Sequence, residues 1–218
     1  MLLDAMSNKP SLNRFDKIAP FYDGMTKLIF GGSILKAQRI HLRIIPREAS
    51  ILVLGGGSGN WLVDFLKEKP TCKIWYVEAS LVMLEKATQK LNFSNNIQFI
   101  HGTHLDIPKT EFDVVITHFF VDMFREDQIM ELAQQMSAKL KINGVWLVAD
   151  FVNKNYWHRF LLWLMYRFFK IIDAIDVKSL PDWDQAIRSK HFTVGECNSF
   201  YGQFIQSNVY SCDKKVAT

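Results

Sequence analysis

The stretch Ile51-Leu52-Val53-Leu54-Gly55-Gly56-Gly57-Ser58-Gly59-Asn60 decides the fold. Four aliphatic residues without a charge read as a parallel strand covered on both faces, because such strands are apolar without alternation. The glycines that follow do not belong to a helix interior, where each would cost about 1 kcal/mol relative to alanine. They let the main chain turn tightly and approach a ligand closely. The next run, Trp61-Leu62-Val63-Asp64-Phe65-Leu66-Lys67, takes up a helical pattern. Strand, glycine turn and helix together present amide N–H groups and a helix N-terminus to a nucleotide-type cofactor.

Downstream, Lys73-Ile74-Trp75-Tyr76-Val77-Glu78 is a second strand that ends on an acid. Glu78 stands about 20 residues past the turn, where sites of this geometry hold a ribose-binding carboxylate. Its two acceptor oxygens match the two donors of a ribose diol and would repel a 2′-phosphate. A helix over Leu81 to Leu91 follows, then strands at Ile97–Ile100 and Phe112–Thr117 flanking the loop His101–Pro108. The helix Asp127 to Leu140 carries Ile129, Leu132, Ala133, Met136 and Leu140 on one stripe. Asn143-Gly144 reads as a turn into the strand Val145–Ala149, which ends at Asp150. Strands alternating with helices predict a parallel α/β sheet with helices on both faces and the ligand at the strand C-termini.

Beyond Asp150 the pattern changes. A long aromatic helix, roughly Trp157 to Ile175, leads past Pro181 to a short helix ending near Lys190. Phe192–Cys197 and Phe204–Tyr210 read as a closing hairpin around Tyr201-Gly202, which makes the last strand antiparallel. Upstream, residues 11–45 form two amphipathic helices broken at Gly31-Gly32, and the segment Phe15–Asp23 is a candidate cover over a bound cofactor. The expected organisation is one domain over 1–218. It comprises a helical cap over 11–45, a cofactor-binding core over 50–151, a helical insertion over 152–191 and the hairpin over 192–212.

The 218 residues, 49% of them apolar, suffice for one well-buried core. A formal charge of +4 without a basic run argues against a dedicated nucleic-acid binder. Three cysteines, Cys72, Cys197 and Cys212, with no CxxC spacing point to a reduced, cytoplasmic protein without a structural metal site. Charges interrupt the most apolar segment, Tyr156 to Ile175, so it is not expected to span a membrane.

A glycine turn with a ribose acid suits NAD or S-adenosylmethionine. The NAD pattern G-x-G-x-x-G would need glycine where Asn60 stands, counting from Gly55, or where Leu62 stands, counting from Gly57. Val53 to Gly59 instead resembles the first motif of class I S-adenosylmethionine-dependent methyltransferases. The resemblance covers nearly the whole chain. Tyr76–Leu84 is similar to the family's second strand, ribose acid and following helix, Gln98–Thr103 to its third strand and adenine loop, and Phe112–Phe120 to its fourth. The closing hairpin is similar to the family's reversed seventh strand. The run Phe15-Asp16-x-Ile18-Ala19-x-x-Tyr22-Asp23, with Phe30-Gly31, resembles the cap of the quinone and related C-methyltransferase branch. Three positions depart from the pattern: Gly55 where an acid is usual, Trp61 where a third glycine is common, and Thr103 where an Asp often accepts from the adenine amino group.

The resemblance implies a Rossmann-like sheet of seven strands, mostly parallel with the last antiparallel, and S-adenosylmethionine as cofactor. It implies cofactor contacts at Gly55, Gly56, Gly57 and Gly59 for the methionyl half, Glu78 for the ribose, Ala79 and Met83 for the adenine, and Thr103 and His104 at its edge. Thr117 and His118 would lie near the transferring methyl, and Tyr22 would reach in from the cap. Candidate catalytic residues are His118, as proton acceptor for an acidic acceptor, with Asp122 and Asp150 behind it, and Tyr22. Glu78→Ala is expected to weaken cofactor binding and leave the fold intact. The expected reaction is methyl transfer to a small apolar or aromatic acceptor. Trp157, Phe160, Leu161, Leu164, Met165 and Phe168 would wall its pocket, or the same helix would make a homodimer. The alternative is a non-catalytic S-adenosylmethionine-binding or partner-binding module. An Asn/Asp-Pro-Pro-aromatic turn is absent at His118–Val121, and no cysteine ends the fourth strand, so a nucleic-acid acceptor is not expected.

Overall fold

Charge-free strand runs and helix stripes at three- and four-residue steps sort the chain into layers. The computed structural model describes residues 29–171 and 180–212. In chain order these form α1 (Ser33–Arg39), β1 (Ser50–Leu54), α2 (Leu62–Glu68), β2 (Lys73–Glu78), α3 (Leu81–Leu91), β3 (Ile97–His101) and β4 (Phe112–His118). There follow α4 (Glu126–Lys139), β5 (Leu140–Phe151), α5 (Tyr156–Ile171), α6 (Trp183–Arg188), β6 (Phe192–Phe200) and β7 (Ile205–Cys212). The cap segment Phe15–Asp23, Tyr22 included, and the expected end of the long helix beyond residue 171 lie outside the described residues.

The strands make one seven-stranded sheet in the order β3-β2-β1-β4-β5-β7-β6. Strands β1 to β5 pair in parallel, and β7 runs antiparallel between β5 and β6. From β1 the chain winds outward to β2 and β3 on one side and resumes at β4 on the other. The crevice where the order reverses is where ligands bind in open α/β sheets. Leu54 pairs with Thr117, so the glycine turn after β1 and the exit of β4 are side by side.

One face of the sheet packs α4 and α6 through Leu132, Met136, Trp146, Trp183 and Ile187. The other packs α2 and α3 through Leu62, Leu66, Leu84 and Leu91 against Ile51, Val53 and Ile116. A third cluster joins Phe30, Ala37, Phe151, Leu162, Phe204 and Ile205, tying α1 and α5 to the hairpin.

Three local expectations change. Asn143-Gly144 does not separate helix from strand. Strand β5 begins at Leu140 directly after α4, and Asn143 (φ 63°) forms an irregularity where the register against Phe112 and Val114 shifts. An Asn-Gly pair satisfies a bulge as readily as a turn, because both need a left-handed residue. The hairpin strands are longer than their apolar cores. They meet at Tyr201, Gly202 and Gln203, all at positive φ, and a Cβ on Gly202 would lie 2.7 Å from the Trp157 ring. Finally, Phe160 is not part of an acceptor wall: it is 63% exposed, while its neighbour Leu161 packs inward. The rotation of α5 is set by buried His158, whose Nδ1 accepts from the Lys154 amide (3.0 Å) and whose Nε2 donates to the Gly202 carbonyl (3.1 Å).

Candidate functional site

The turn after β1 is a left-handed backbone held from below. Gly55, Gly57 and Gly59 have φ of +64°, +64° and +72°, values that a side chain would strain. Gly56 is glycine for a different reason, since a Cβ there would sit 2.2 Å from the Tyr76 ring. The Tyr76 hydroxyl donates to the Gly57 carbonyl (3.0 Å), and the Trp61 indole donates to the Gly56 carbonyl (3.2 Å). Trp61, which stands where the resembled motif has glycine, is therefore part of the turn's scaffold. At Gly57 a Cβ would meet nothing within 4 Å among the described residues, so they leave the turn open there.

Glu78 ends β2 beside this opening and is 8% exposed. One carboxylate oxygen accepts from the Gly57 amide (2.8 Å) and the other from the Ser80 amide (2.9 Å). The expectation that Glu78→Ala leaves the fold intact is corrected by these bonds. The residue holds the turn and the start of α3, where Ser80 also caps the helix through the Met83 amide (3.2 Å). A carboxylate has roughly four acceptor positions, so these two bonds are compatible with a ribose diol on the same group. The open cradle at Gly57 and the adjacent acid fit the methionyl and ribose parts of S-adenosylmethionine. Ala79 is half-buried and Met83 buried at the start of α3, on the same edge.

The loop after β3 is organised by an acid that sequence reasoning missed. Asp106 accepts from the Thr103 amide (2.8 Å) and the Thr103 hydroxyl (3.2 Å), and that hydroxyl also accepts from the Leu105 amide (3.2 Å). Thr103 is thus committed within its own loop. The only signal for Asp106 was an acid three residues after a Thr in a loop, the spacing of a local side-chain turn. His104 stacks edge-on with Phe124 (5.3 Å), and burial lowers its pKa.

At the exit of β4 the two predicted neighbours part company, because successive strand residues face opposite sides of a sheet. The side chain of Thr117 faces α4 and α6, fully buried, accepting from the Trp146 indole (2.9 Å). Its expected place beside the transferring methyl is corrected on that ground. His118 faces the other way, edge-on to Trp61 at 5.0 Å, and is 6% exposed. Its Nδ1 has no hydrogen-bond partner among the described residues. Burial first, and the nearby His41 second, lower its pKa to about 3, so the ring is neutral at pH 7. His41 is itself buried, its Nε2 donating to the Ser207 carbonyl (3.1 Å) and its Nδ1 3.5 Å from the Glu196 carboxylate.

Asp150, expected behind His118, instead fastens the chain that leaves β4. One oxygen accepts from the amides of Phe120 (3.0 Å), Val121 (2.9 Å) and Asp122 (3.2 Å), the other from Phe151 (2.8 Å). Burial pushes both Asp122 and Asp150 up, Asp122 to about 7. For Asp150 the neighbouring Asp122 adds to that rise, and the four amide donors oppose it. Two surface hollows, one near Thr110 and Lys139 and one near Gln134 and His191, are not lined by the glycine turn, and the first lies at the N-terminal ends of β4 and β5, opposite the strand exits.

Comparison with known proteins agrees with this geometry. Residues 51–144 match the family described as a methyltransferase domain. A carboxy-S-adenosyl-L-methionine synthase of Nautilia profundicola is 22% identical over 154 residues, 67% of this chain and 66% of that protein. A malonyl-[acyl-carrier protein] O-methyltransferase of Halalkalibacterium halodurans is 30% identical over 154 residues, 63% of this chain and 53% of that one. The chain thus spans between half and two thirds of the length of these relatives. Among solved structures, the complex between the Haloferax volcanii Trm112 methyltransferase activator and a methyltransferase matches with a TM-score of 0.73 at 16% identity. That match covers 95% of this chain and 100% of that one. The DhpI complex with S-adenosylhomocysteine matches at 0.70 and 13% identity, covering 94% and 96%. At such identities the likeness is one of fold. Residues 51–144 thus match a methyltransferase domain, the chain with its reversed strand β7 has the class I methyltransferase fold, and the glycine turn with Glu78 fits S-adenosylmethionine as cofactor.

Proposed function

We propose that this chain transfers a methyl group from S-adenosylmethionine to a small, apolar or aromatic acceptor. The observation that carries the reading is the glycine turn, clamped by Glu78, open at Gly57, and paired through β1 and β4 with the exit that bears His118. Gly55 to Gly59 would surround the methionyl half, Glu78 the ribose, Ala79 and Met83 the adenine face, with the Thr103–Asp106 loop and His104 at its edge. Tyr22 would close the site from a segment outside the described residues. When bound, the cofactor supplies an electrophilic methyl carbon; the acceptor atom gains the new bond and the electrons of the broken C–S bond stay on sulfur.

The protein's part is to hold the acceptor in line and keep water out, which alone can lower a barrier by about 7–11 kcal/mol. His118 suits the first task. A neutral imidazole at the exit of β4 would orient the acceptor by a hydrogen bond, and would take its proton only when the acceptor is acidic enough to overcome a pKa near 3. Asp122, protonated below about pH 7, adds a polar but uncharged group to the same exit. The names of the relatives support the donor more than the acceptor.

The test is production of S-adenosylhomocysteine from S-adenosylmethionine in the presence of candidate phenols and quinols, with the methylated product identified by mass. Binding of S-adenosylhomocysteine with no turnover on any such acceptor would leave only the non-catalytic alternative. His118→Asn should reduce turnover while cofactor affinity holds, and unchanged turnover would remove His118 from the reaction.

A further inference from the structure

The peptide unit between Gly56 and Gly57 is gripped at both ends. Its carbonyl accepts from the Trp61 indole (3.2 Å), and its N–H donates to the Glu78 carboxylate (2.8 Å). Among the described residues no peptide bond is cis, so this unit is planar and trans, with its carbonyl and its N–H pointing in opposite directions. Whatever fixes the carbonyl therefore aims the N–H. A glycine on each side leaves rotation of the whole plane with little steric resistance. The donor on the carbonyl supplies the resistance that side chains would otherwise give.

Trp61 is held in place to be that donor. It is 3% exposed, and its ring lies edge-on to His118 at 5.0 Å. Its main chain leads directly into α2, a start that α1 secures from outside: the Asn60 carbonyl accepts from Arg39 (3.4 Å), and Arg39 pairs with Asp64 (2.8 Å). A phenylalanine at this position would keep most of the apolar contact and lose the bond to Gly56. At the other end of the peptide, Glu78 is caught between the Gly57 amide and the Ser80 amide (2.9 Å) at the start of α3. Two fixed donors set the plane of the carboxylate, and with it the directions of the acceptor positions that remain.

We infer that Trp61 is a positioning residue for the cofactor: through the Gly56–Gly57 peptide it orients Glu78 to receive a ribose diol. This deepens the methyl-transfer reading and rests on its assignment of Glu78 to the ribose. It gives the tryptophan a task that burial alone would not require.

The test is a cycle of Trp61→Phe, Glu78→Gln and the double variant, titrated calorimetrically with S-adenosylhomocysteine at a temperature where melting curves show all of them folded. Loss of the single indole bond should weaken binding by Trp61→Phe about fivefold. The double variant should bind about as weakly as Glu78→Gln alone, because the bond to Gly56 acts on affinity through the acid. A second measurement leaves Trp61 in place. In the chain labelled with 15N-tryptophan, the Trp61 indole N–H signal, identified by its contact with the His118 ring, should move when Glu78 becomes Gln. Parental affinity in Trp61→Phe overturns the inference, as does a fivefold loss that persists undiminished on top of Glu78→Gln, or an indole signal that stays in place. A parent that does not bind S-adenosylhomocysteine is a different failure: it removes the cofactor reading itself, and this inference with it.

Discussion

Glu78→Ala should do two things at once, and Glu78→Gln should separate them. The carboxylate accepts one bond from the Gly57 amide at 2.8 Å and one from the Ser80 amide at 2.9 Å, with Ser80 fully buried. A hydrogen bond to a charged partner contributes about 1.5–3 kcal/mol, and a buried amide left without an acceptor costs a comparable amount. Alanine removes both acceptors, so about 3–5 kcal/mol of stability should go. For a chain of this length that is a fall in melting temperature of roughly 10 °C. Glutamine retains one oxygen and turns an NH2 group toward the other amide, so about half that loss is expected. Ribose recognition adds a separate term. Two charge-assisted bonds to a diol are worth about 3 kcal/mol together, which is roughly 100-fold in affinity. Calorimetric melting and titration with S-adenosylhomocysteine read the two terms independently. If Glu78→Ala melts within a degree or two of the parent, the clamp on Gly57 and Ser80 is refuted. If Glu78→Gln binds S-adenosylhomocysteine as tightly as the parent, the ribose assignment goes with it.

The neighbouring glycines should respond in opposite ways. Gly56→Ala puts a Cβ 2.2 Å from the Tyr76 ring and should impair folding, seen as loss of soluble protein or of a cooperative melt. Gly57→Ala meets no atom of the described residues within 4 Å and should cost only about 1 kcal/mol of backbone strain while lowering S-adenosylhomocysteine affinity, because its methyl group occupies the cradle. His118, with a native pKa of about 3 against about 6.5 unfolded, gives stability that is present above pH 6.5 and lost as pH falls toward 3. Denaturant titrations should therefore show stability declining by up to about 1.4 kcal/mol per pH unit below 6.5, and His118→Phe should flatten that limb. Asp122 has the opposite sign. Raised to about 7, it favours the native state below the ordinary carboxyl range and loses that advantage as pH rises toward 7. Asp122→Asn should gain stability relative to the parent between pH 4 and 8, and an equal pH dependence in the two proteins would show that the carboxyl is not protonated in the fold.

The strands and the glycine turn were legible because their signals are local: Ile51–Leu54 is apolar without alternation, and Gly55, Gly57 and Gly59 take backbone angles that few other residues adopt. Glu78 was legible by its spacing from the turn. Its grip on Gly57 and Ser80 was not, since an acid at a strand end gives no sign of which amides it will meet. Thr117 and His118 show the same limit. Sequence places both at the end of β4, but only the packing of α4 on one face and the Trp61 scaffold on the other says which side chain turns toward the crevice. Asp150 reads as a spare acid until the chain leaving β4 folds back over it and offers its amides. Phe160 and Leu161 are equally apolar neighbours, and their fates differ because His158 fixes the rotation of α5 from a hairpin turn 44 residues away.

The exit of β4 has a physical character that no single residue in it announces. His118 is kept neutral down to about pH 3, and Asp122 stays neutral up to about pH 7. The Asp150 carboxyl, also pushed up by burial and by Asp122, gives its oxygens to four backbone amides rather than to a ligand. Across the interval between those two values this wall of the crevice is polar without free charge. Glu78 stands at the end of β2, on the far side of β1 from β4. Attack by a neutral acceptor on a sulfonium carbon disperses positive charge, and a low-dielectric wall without ions opposes that dispersal less than water does. On the proposed reading, the same burial that makes His118 a weak base would suit it to orient an acceptor, and the division between the Glu78 end and the His118 end of the crevice is set by where the sheet reverses its order.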